Sequence, residues 1–200
     1  MKKFFLVCLA LCTGVANATL IDFDDLVQDT VVSNQYAGLG VSFSAFENGV
    51  AVNSPLVHDE WQNSQNVLGR DGMGLSNCYD TWAQCTRADV LRIDFTGTAS
   101  GISWLQNNEG SMDPVWELYD ISGSLIETIN VDGPSSWFAV TAASSKVSYM
   151  LGLQPRDNWT WSIDNLQFTL DDNSADVPEP TSIAILSLGL VGLALRRKSK

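Results

Sequence analysis

The chain reads as an all-β protein, an antiparallel β-sandwich of jelly-roll type, on three observations. Apolar and polar residues alternate with a period of two in one short run after another. Gly, Pro, Asn, Asp or Ser separates nearly all of these runs, as turns between sandwich strands require. Between the two chain ends, no segment keeps an apolar stripe at helical spacing for three turns. About eight to ten short strands follow, and that pattern suits a two-sheet sandwich better than a closed barrel.

In chain order, Lys2 and Lys3 form a basic start, Phe4 to Val15 an apolar stretch, and Ala16-Asn17-Ala18 a small-residue cleavage site. Residues 1–18 are therefore a secretory leader handled by the Sec export machinery, with a mature start at Thr19. Leu11 stands before Cys12 where a lipidated leader needs a small residue, so lipidation is not expected. The first strand is Leu20-Ile21-Asp22-Phe23-Asp24. Val41, Phe43 and Ala45 alternate with Ser42 and Ser44, and Leu91, Ile93 and Phe95 with Arg92 and Asp94. Further runs are 101–106, 115–120, 125–131 and 137–141. In 147–151, Val147, Tyr149 and Leu151 alternate with Ser148 and Met150.

Ser54 to Ala88 breaks the rhythm and reads as one long loop. Long loops inside compact domains are usually functional. It holds Trp61, Tyr79, Trp82, His58, Cys78 and Cys85. The last body strand carries a phase fault: Trp159, Trp161 and Ile163 are odd, whereas Leu166, Phe168 and Leu170 are even. One extra residue must be absorbed at Asp164-Asn165, which predicts a β-bulge.

All 23 acidic residues lie between the leader and residue 181, where only Arg70, Arg87, Arg92, Lys146 and Arg156 are basic. Such a surface repels nucleic acid and anionic lipid, and favours cations, basic partners or plain solubility. With the leader gone, Cys78 and Cys85 remain, and in an oxidising compartment a disulfide between them is the default. Two cysteines with the single distant His58 do not make a zinc set. His58 also lacks a Gly-x-Ser-x-Gly partner turn, so it reads as a loop residue rather than a catalytic base. A pair of carboxylates would suffice for a glycosidase, but 23 candidates single out none.

The C-terminus is the most specific segment. Val177-Pro178-Glu179-Pro180 cannot continue a ladder or helix; Ile183 to Leu195 is uncharged, with Ser187 its one polar residue; Arg196-Arg197-Lys198-Ser199-Lys200 ends the chain. This order of features resembles the PEP-CTERM sorting signal of exopolysaccharide-producing bacteria. The resemblance implies a body over 19–176 and a sorting signal over 177–200. It also implies an exosortase-like membrane peptidase as partner, and transient inner-membrane anchoring with the C-terminus cytoplasmic before release to the cell surface or medium. As a helix, residues 183–195 would span only about 20 Å of a hydrocarbon core of about 30 Å, which suits a transient anchor.

Ile163-Asp164-Asn165-Leu166 resembles the closing strand of jelly-roll carbohydrate-binding modules, where an acidic residue joins the first strand in a structural calcium site. That implies Asp22, Asp24 and Asp164 as Ca²⁺ ligands; otherwise Asp164 and Asn165 are polar turn-formers at the bulge. Trp104, Trp116 and Trp137 sit in apolar strands and are expected in the core. Trp61 and Trp82 sit in the polar loop, where an exposed indole offers a stacking face for a sugar ring. Trp61, Arg70, Asn77, Tyr79 and Trp82 are thus the candidate glycan contacts, preorganised by a Cys78–Cys85 bridge. The rival reading folds the loop back as a lid. Three function classes remain: a non-catalytic exported protein associated with exopolysaccharide, a structural surface protein without a sugar site, and a small polysaccharide-active enzyme.

Overall fold

The computed structural model describes residues 18–53, 55–59, 73–78, 86–108, 114–132, 137–154 and 161–171, without the side chains of His58 and Asp59. The leader and the sorting tail lie outside the described residues. Eleven strands are present among them: β1 (Thr19–Ile21), β2 (Val41–Glu47), β3 (Val50–Val52), β4 (Leu56–Asp59), β5 (Met73–Ser76), β6 (Val90–Asn108), β7 (Val115–Tyr119), β8 (Leu125–Asn130), β9 (Phe138–Thr141), β10 (Val147–Leu153) and β11 (Trp161–Asp171). A short 3-10 turn covers Ala37–Leu39, and the compact unit of the fold ends at Leu170. The all-β antiparallel prediction holds.

One strand organises the two layers. The runs 91–95 and 101–106, read from sequence as separate strands, are the two halves of β6. Its first half pairs with β2 and β10, and Ser103–Gln106 pairs with β9. Between them Gly97 (φ +95°) and Gly101 (φ +59°) take left-handed conformations that only glycine adopts cheaply. The β6–β10 register also slips there, from Ala99 opposite Val147 to Asp94 opposite Tyr149. Hydrogen bonding therefore runs unbroken through all the strands, in the order β4-β5-β11-β6-β10-β7-β8 with β1, β2, β3 and β9 attached. Rings pack across the core: Trp116 on β7 lies 5.4 Å from Trp161 on β11, two strands that do not pair, and Phe95 on β6 lies 5.0 Å from Phe168 on the neighbouring β11.

Alternation gives the core on the expected phases: Val41, Phe43, Ala45, Leu91, Ile93, Phe95, Trp116 and Leu118 are all buried. In β10 the expected phase is corrected. The slip after Val147 turns Met150 and Gly152 inward and leaves Tyr149 and Leu151 half-buried on the outer face. A one-residue slip in a strand reverses every side chain beyond it.

The long-loop expectation is also corrected. Within Ser54–Ala88, β4 and β5 pair with each other, and β5 joins β11. Asp29 and Val32 donate backbone hydrogen bonds to Val57 and Pro55, covering the other edge of β4. Leu56, Val57, Leu75, Ser76, Asn77 and Cys78 are buried. Apolar residues in a short run without clean alternation suit strands buried on both faces, which the period test misses.

Candidate functional site

The first and last strands meet as predicted, with Ile21 opposite Leu166 and Thr19 opposite Phe168. Asn165 has φ +49° at the expected phase fault, where β11 exchanges β5 for β1 as its neighbour. Asp164 is buried beside it and accepts a hydrogen bond from the Asn165 N–H. The acidic turn after β1 is exposed and spends carboxylate oxygens locally. Asp22 Oδ1 accepts from Asp24 N–H (3.4 Å), Asp24 Oδ1 accepts from Met73 N–H (2.8 Å), and Tyr36 Oη donates to Asp25. Burial, that hydrogen bond and the charges of Asp25, Asp22 and Asp24 push the Tyr36 phenol well above its usual range. No group of three or more His, Cys, Asp or Glu side chains is placed to hold a metal ion among the described residues.

The candidate glycan contacts do not form one described cluster. Trp61, Arg70, Tyr79, Trp82 and Cys85 lie outside the described residues, as do Val177, Pro178, Glu179 and Pro180. Their anchors are informative, however. Trp61 and Arg70 fall between Asp59 and Met73, which are register partners at one end of the β4–β5 pair. Tyr79 and Trp82 follow Asn77 and Cys78 in the sequence, and Cys78 itself forms an antiparallel backbone bridge with Arg87. Asn77 is fully buried rather than a rim contact, and its Oδ1 accepts the backbone N–H of Trp161 at 3.3 Å.

Trp104 and Trp116 lie in the core as expected, whereas Trp137 is only half-buried. Trp104 and Trp116 pack at 5.0 Å, and both indole N–H groups donate to the single acceptor Gln106 Oε1 at 3.1 Å. Gly152 makes room for the rings: a Cβ there would sit 2.7 Å from Trp161 Cη2 and 2.9 Å from Trp116 Cη2. This cluster is structural. Two of its rings share the Gln106 amide, whereas Trp161 Nε1 is buried without a hydrogen-bond partner.

The outer face of β2, β6, β10, β7 and β8 carries an ordered set of polar and aromatic side chains. Strand register lines up Ser42, Asp94, Tyr149, Tyr119 and Leu125 in one row, and Ser44, Arg92, Leu151, Glu117 and Thr128 in the next. Tyr119 and Tyr149 stack at 4.7 Å with planes 7° apart. Arg92 lies 4.1 Å above the Tyr149 ring centroid and forks onto Asp94, with Nε 2.8 Å from Oδ2 and Nη2 2.6 Å from Oδ1. That hydrogen bond raises the Arg92 pKa and fixes the pair. Tyr119 Oη donates to Glu117, and this bond, with burial and the Glu117 charge, pushes the Tyr119 phenol up to about 12. The arrangement is an aromatic stack edged by carboxylates, with Arg92 on one face of the Tyr149 ring and Tyr119 on the other. Local periodicity does not reveal it, because alternation alone puts Tyr149 on the core side and the stacked residues come from strands that are not consecutive.

Residues 176–198 match the model of the PEP-CTERM protein-sorting motif. The tail is a PEP-CTERM sorting signal. It implies an exported chain, anchored transiently by its C-terminal tail and processed by an exosortase, a membrane protein. No helix among the described residues is long and apolar enough to cross a membrane; residues 183–195 lie outside them. No curated protein is similar enough in sequence to count as a relative. Among solved structures, this chain is similar to the K2 cleaved adhesin domain of Lys-gingipain (TM-score 0.47, 8% identity, 77% of this chain and 100% of that one). It is also similar to TmCBM61 in complex with beta-1,4-galactotriose (0.38, 8%, 72% and 100%). A third is the family 32 module of C. perfringens NanJ in complex with galactose (0.36, 12%, 77% and 100%).

Proposed function

We propose that this chain is a non-catalytic surface or extracellular-matrix protein that is exported, cut by an exosortase near Val177–Pro180, and associated with exopolysaccharide. The observation that carries this reading is the sorting-motif match over residues 176–198. The strongly acidic body supports it: 23 acidic residues keep such a protein soluble and off anionic surfaces. A Cys78–Cys85 disulfide belongs to the same reading. Export places both thiols in an oxidising compartment, and Cys78 is fully buried next to the Arg87 bridge. A structural calcium ion on Asp22, Asp24 and Asp164 is part of the proposal on the β1–β11 pairing alone; the three carboxylates do not form a ready three-ligand group.

Intact mass of the exported protein, with fractionation on the producer's own exopolysaccharide, tests the reading. The expected product begins at Thr19, lacks residues 181–200 and partitions with the polymer. A mature protein that retains residues 181–200 refutes processing. A processed protein that stays in the soluble fraction is a structural surface protein instead, and release of reducing ends by the purified body would make it an enzyme.

A further inference from the structure

We infer that Asn48–Gly49 is a site of spontaneous covalent modification: the exported protein loses the Asn48 side-chain amide there without an enzyme, and the β2–β3 hairpin opens as a result.

Asn48 and Gly49 form the two-residue loop between β2 and β3, with Glu47 in register opposite Val50. Both take positive φ, +50° and +75°, as a tight hairpin turn requires. This is the one Asn-Gly step in the chain. The residue pair that suits the turn also suits ring closure. The Gly49 backbone nitrogen attacks the Asn48 side-chain carbonyl carbon, a C–N bond forms, and the amide nitrogen leaves as ammonia. The product is a five-membered succinimide. Water then opens either ring carbonyl and gives aspartate or isoaspartate, so the net change is one water taken up and one ammonia released. A side chain on the attacking residue would crowd this step, and glycine has none.

The backbone must leave the turn conformation before the ring can close, so the ease of opening sets the rate. Asn48 and Gly49 are exposed. β3 is three residues long, pairs with β2 among the described strands, and has Val50 and Ala51 exposed. A short edge element of this kind opens at little cost. Other described asparagines are placed differently: Asn77, Asn107 and Asn108 are buried, and Asn165 lies within β11 before Leu166.

The product does not restore the turn. The Asn48 N–H donates to Asp89 Oδ2 at 2.5 Å, so the new carboxylate forms close to an existing one and next to Glu47, and like charges repel. Isoaspartate also adds a carbon to the main chain, which a two-residue loop in fixed register does not accommodate. The change stops at β2, which pairs on its other side with β6 and buries Val41, Phe43 and Ala45 in the core.

Incubation of the exported protein at mildly alkaline pH, with peptide mapping and isoaspartate detection over time, tests the inference. Asn48 should convert ahead of every other asparagine, and within about tenfold of its rate in the urea-unfolded chain, because the hairpin opens cheaply. Gly49→Asn keeps a residue that tolerates the left-handed turn but adds a side chain, so it should slow conversion of Asn48 severalfold. Hydrogen exchange of the aged protein should rise over residues 50–52 and stay unchanged over 41–46. Another asparagine converting first, a folded rate far below that range, or an equal rate in Gly49→Asn overturns the site. Conversion of Asn48 with unchanged exchange over 50–52 overturns the opening of the hairpin.

Discussion

Gly152→Ala should destabilise the body, although glycine in a strand normally costs stability. Gly152 is not among the glycines with positive φ, so alanine fits its backbone and the effect is steric. The added methyl would sit 2.7 Å from Trp161 Cη2, 2.9 Å from Trp116 Cη2 and 3.0 Å from Trp116 Cζ2. Real Cβ contacts start near van der Waals distance, and both rings are buried and packed on each other at 5.4 Å, so neither can swing aside freely. Overpacking of this kind costs about 1–3 kcal/mol. Restricting the unfolded chain returns about 0.4–1 kcal/mol. The net loss is then about 1–2 kcal/mol, or about 3–6 °C in Tm for a domain of this size. Differential scanning calorimetry of the variant measures it, and near-UV circular dichroism reports whether the indoles have moved. A double-mutant cycle isolates the cause: Trp161→Phe removes the nearest ring atom, so Gly152→Ala should cost about 0.5–1 kcal/mol less in that background. An unchanged or raised Tm in Gly152→Ala, or strict additivity with Trp161→Phe, would refute the packing argument.

Gln106→Leu removes the shared acceptor of the Trp104 and Trp116 N–H groups, and two buried donors at about 1–3 kcal/mol each predict a net loss of about 2–4 kcal/mol by urea denaturation. A loss under 1 kcal/mol would mean the indoles find other partners. Because the Tyr119 pKa is raised in the folded state to about 12, its contribution is complete below the unfolded value near 10 and declines as pH rises through the folded one. Glu117→Gln should bring the phenol back toward 10, read as an earlier phenolate rise in ultraviolet titration; identical curves would remove Glu117 as the cause. Calcium bound at Asp22, Asp24 and Asp164 should raise Tm between EDTA and millimolar Ca²⁺ by mass action, and equal melting curves would reject the ion.

Much of the body was legible because its evidence is local. Parity of apolar positions is a short-range property, so the strand phases of β2, β6 and β7 and the switch at Asp164-Asn165 could be read directly. So could the sorting tail, which is defined by the order of Pro, apolar length and basic charge rather than by folding. Three features escaped. Strands β4 and β5 lack alternation because they are buried on both faces. The phase of β10 reverses through a slip against Ala99 and Asp94, residues that belong to another strand. Asn77, which its turn-forming neighbours place on a loop, is held inside by the backbone N–H of Trp161.

Motif order and local alternation are enough to establish an exported chain with a sorting tail and a fold of alternating antiparallel strands. Which outward-facing residues become neighbours depends on tertiary packing. Arg92, Tyr119 and Tyr149 come from β6, β7 and β10, and none of them touches its partner through a sequential hairpin. Their stack exists because β10 enters between β6 and β7 in one register. That choice is made by the burial of Met150, Gly152 and the tryptophans on the opposite face, a long-range packing energy that no local pattern carries.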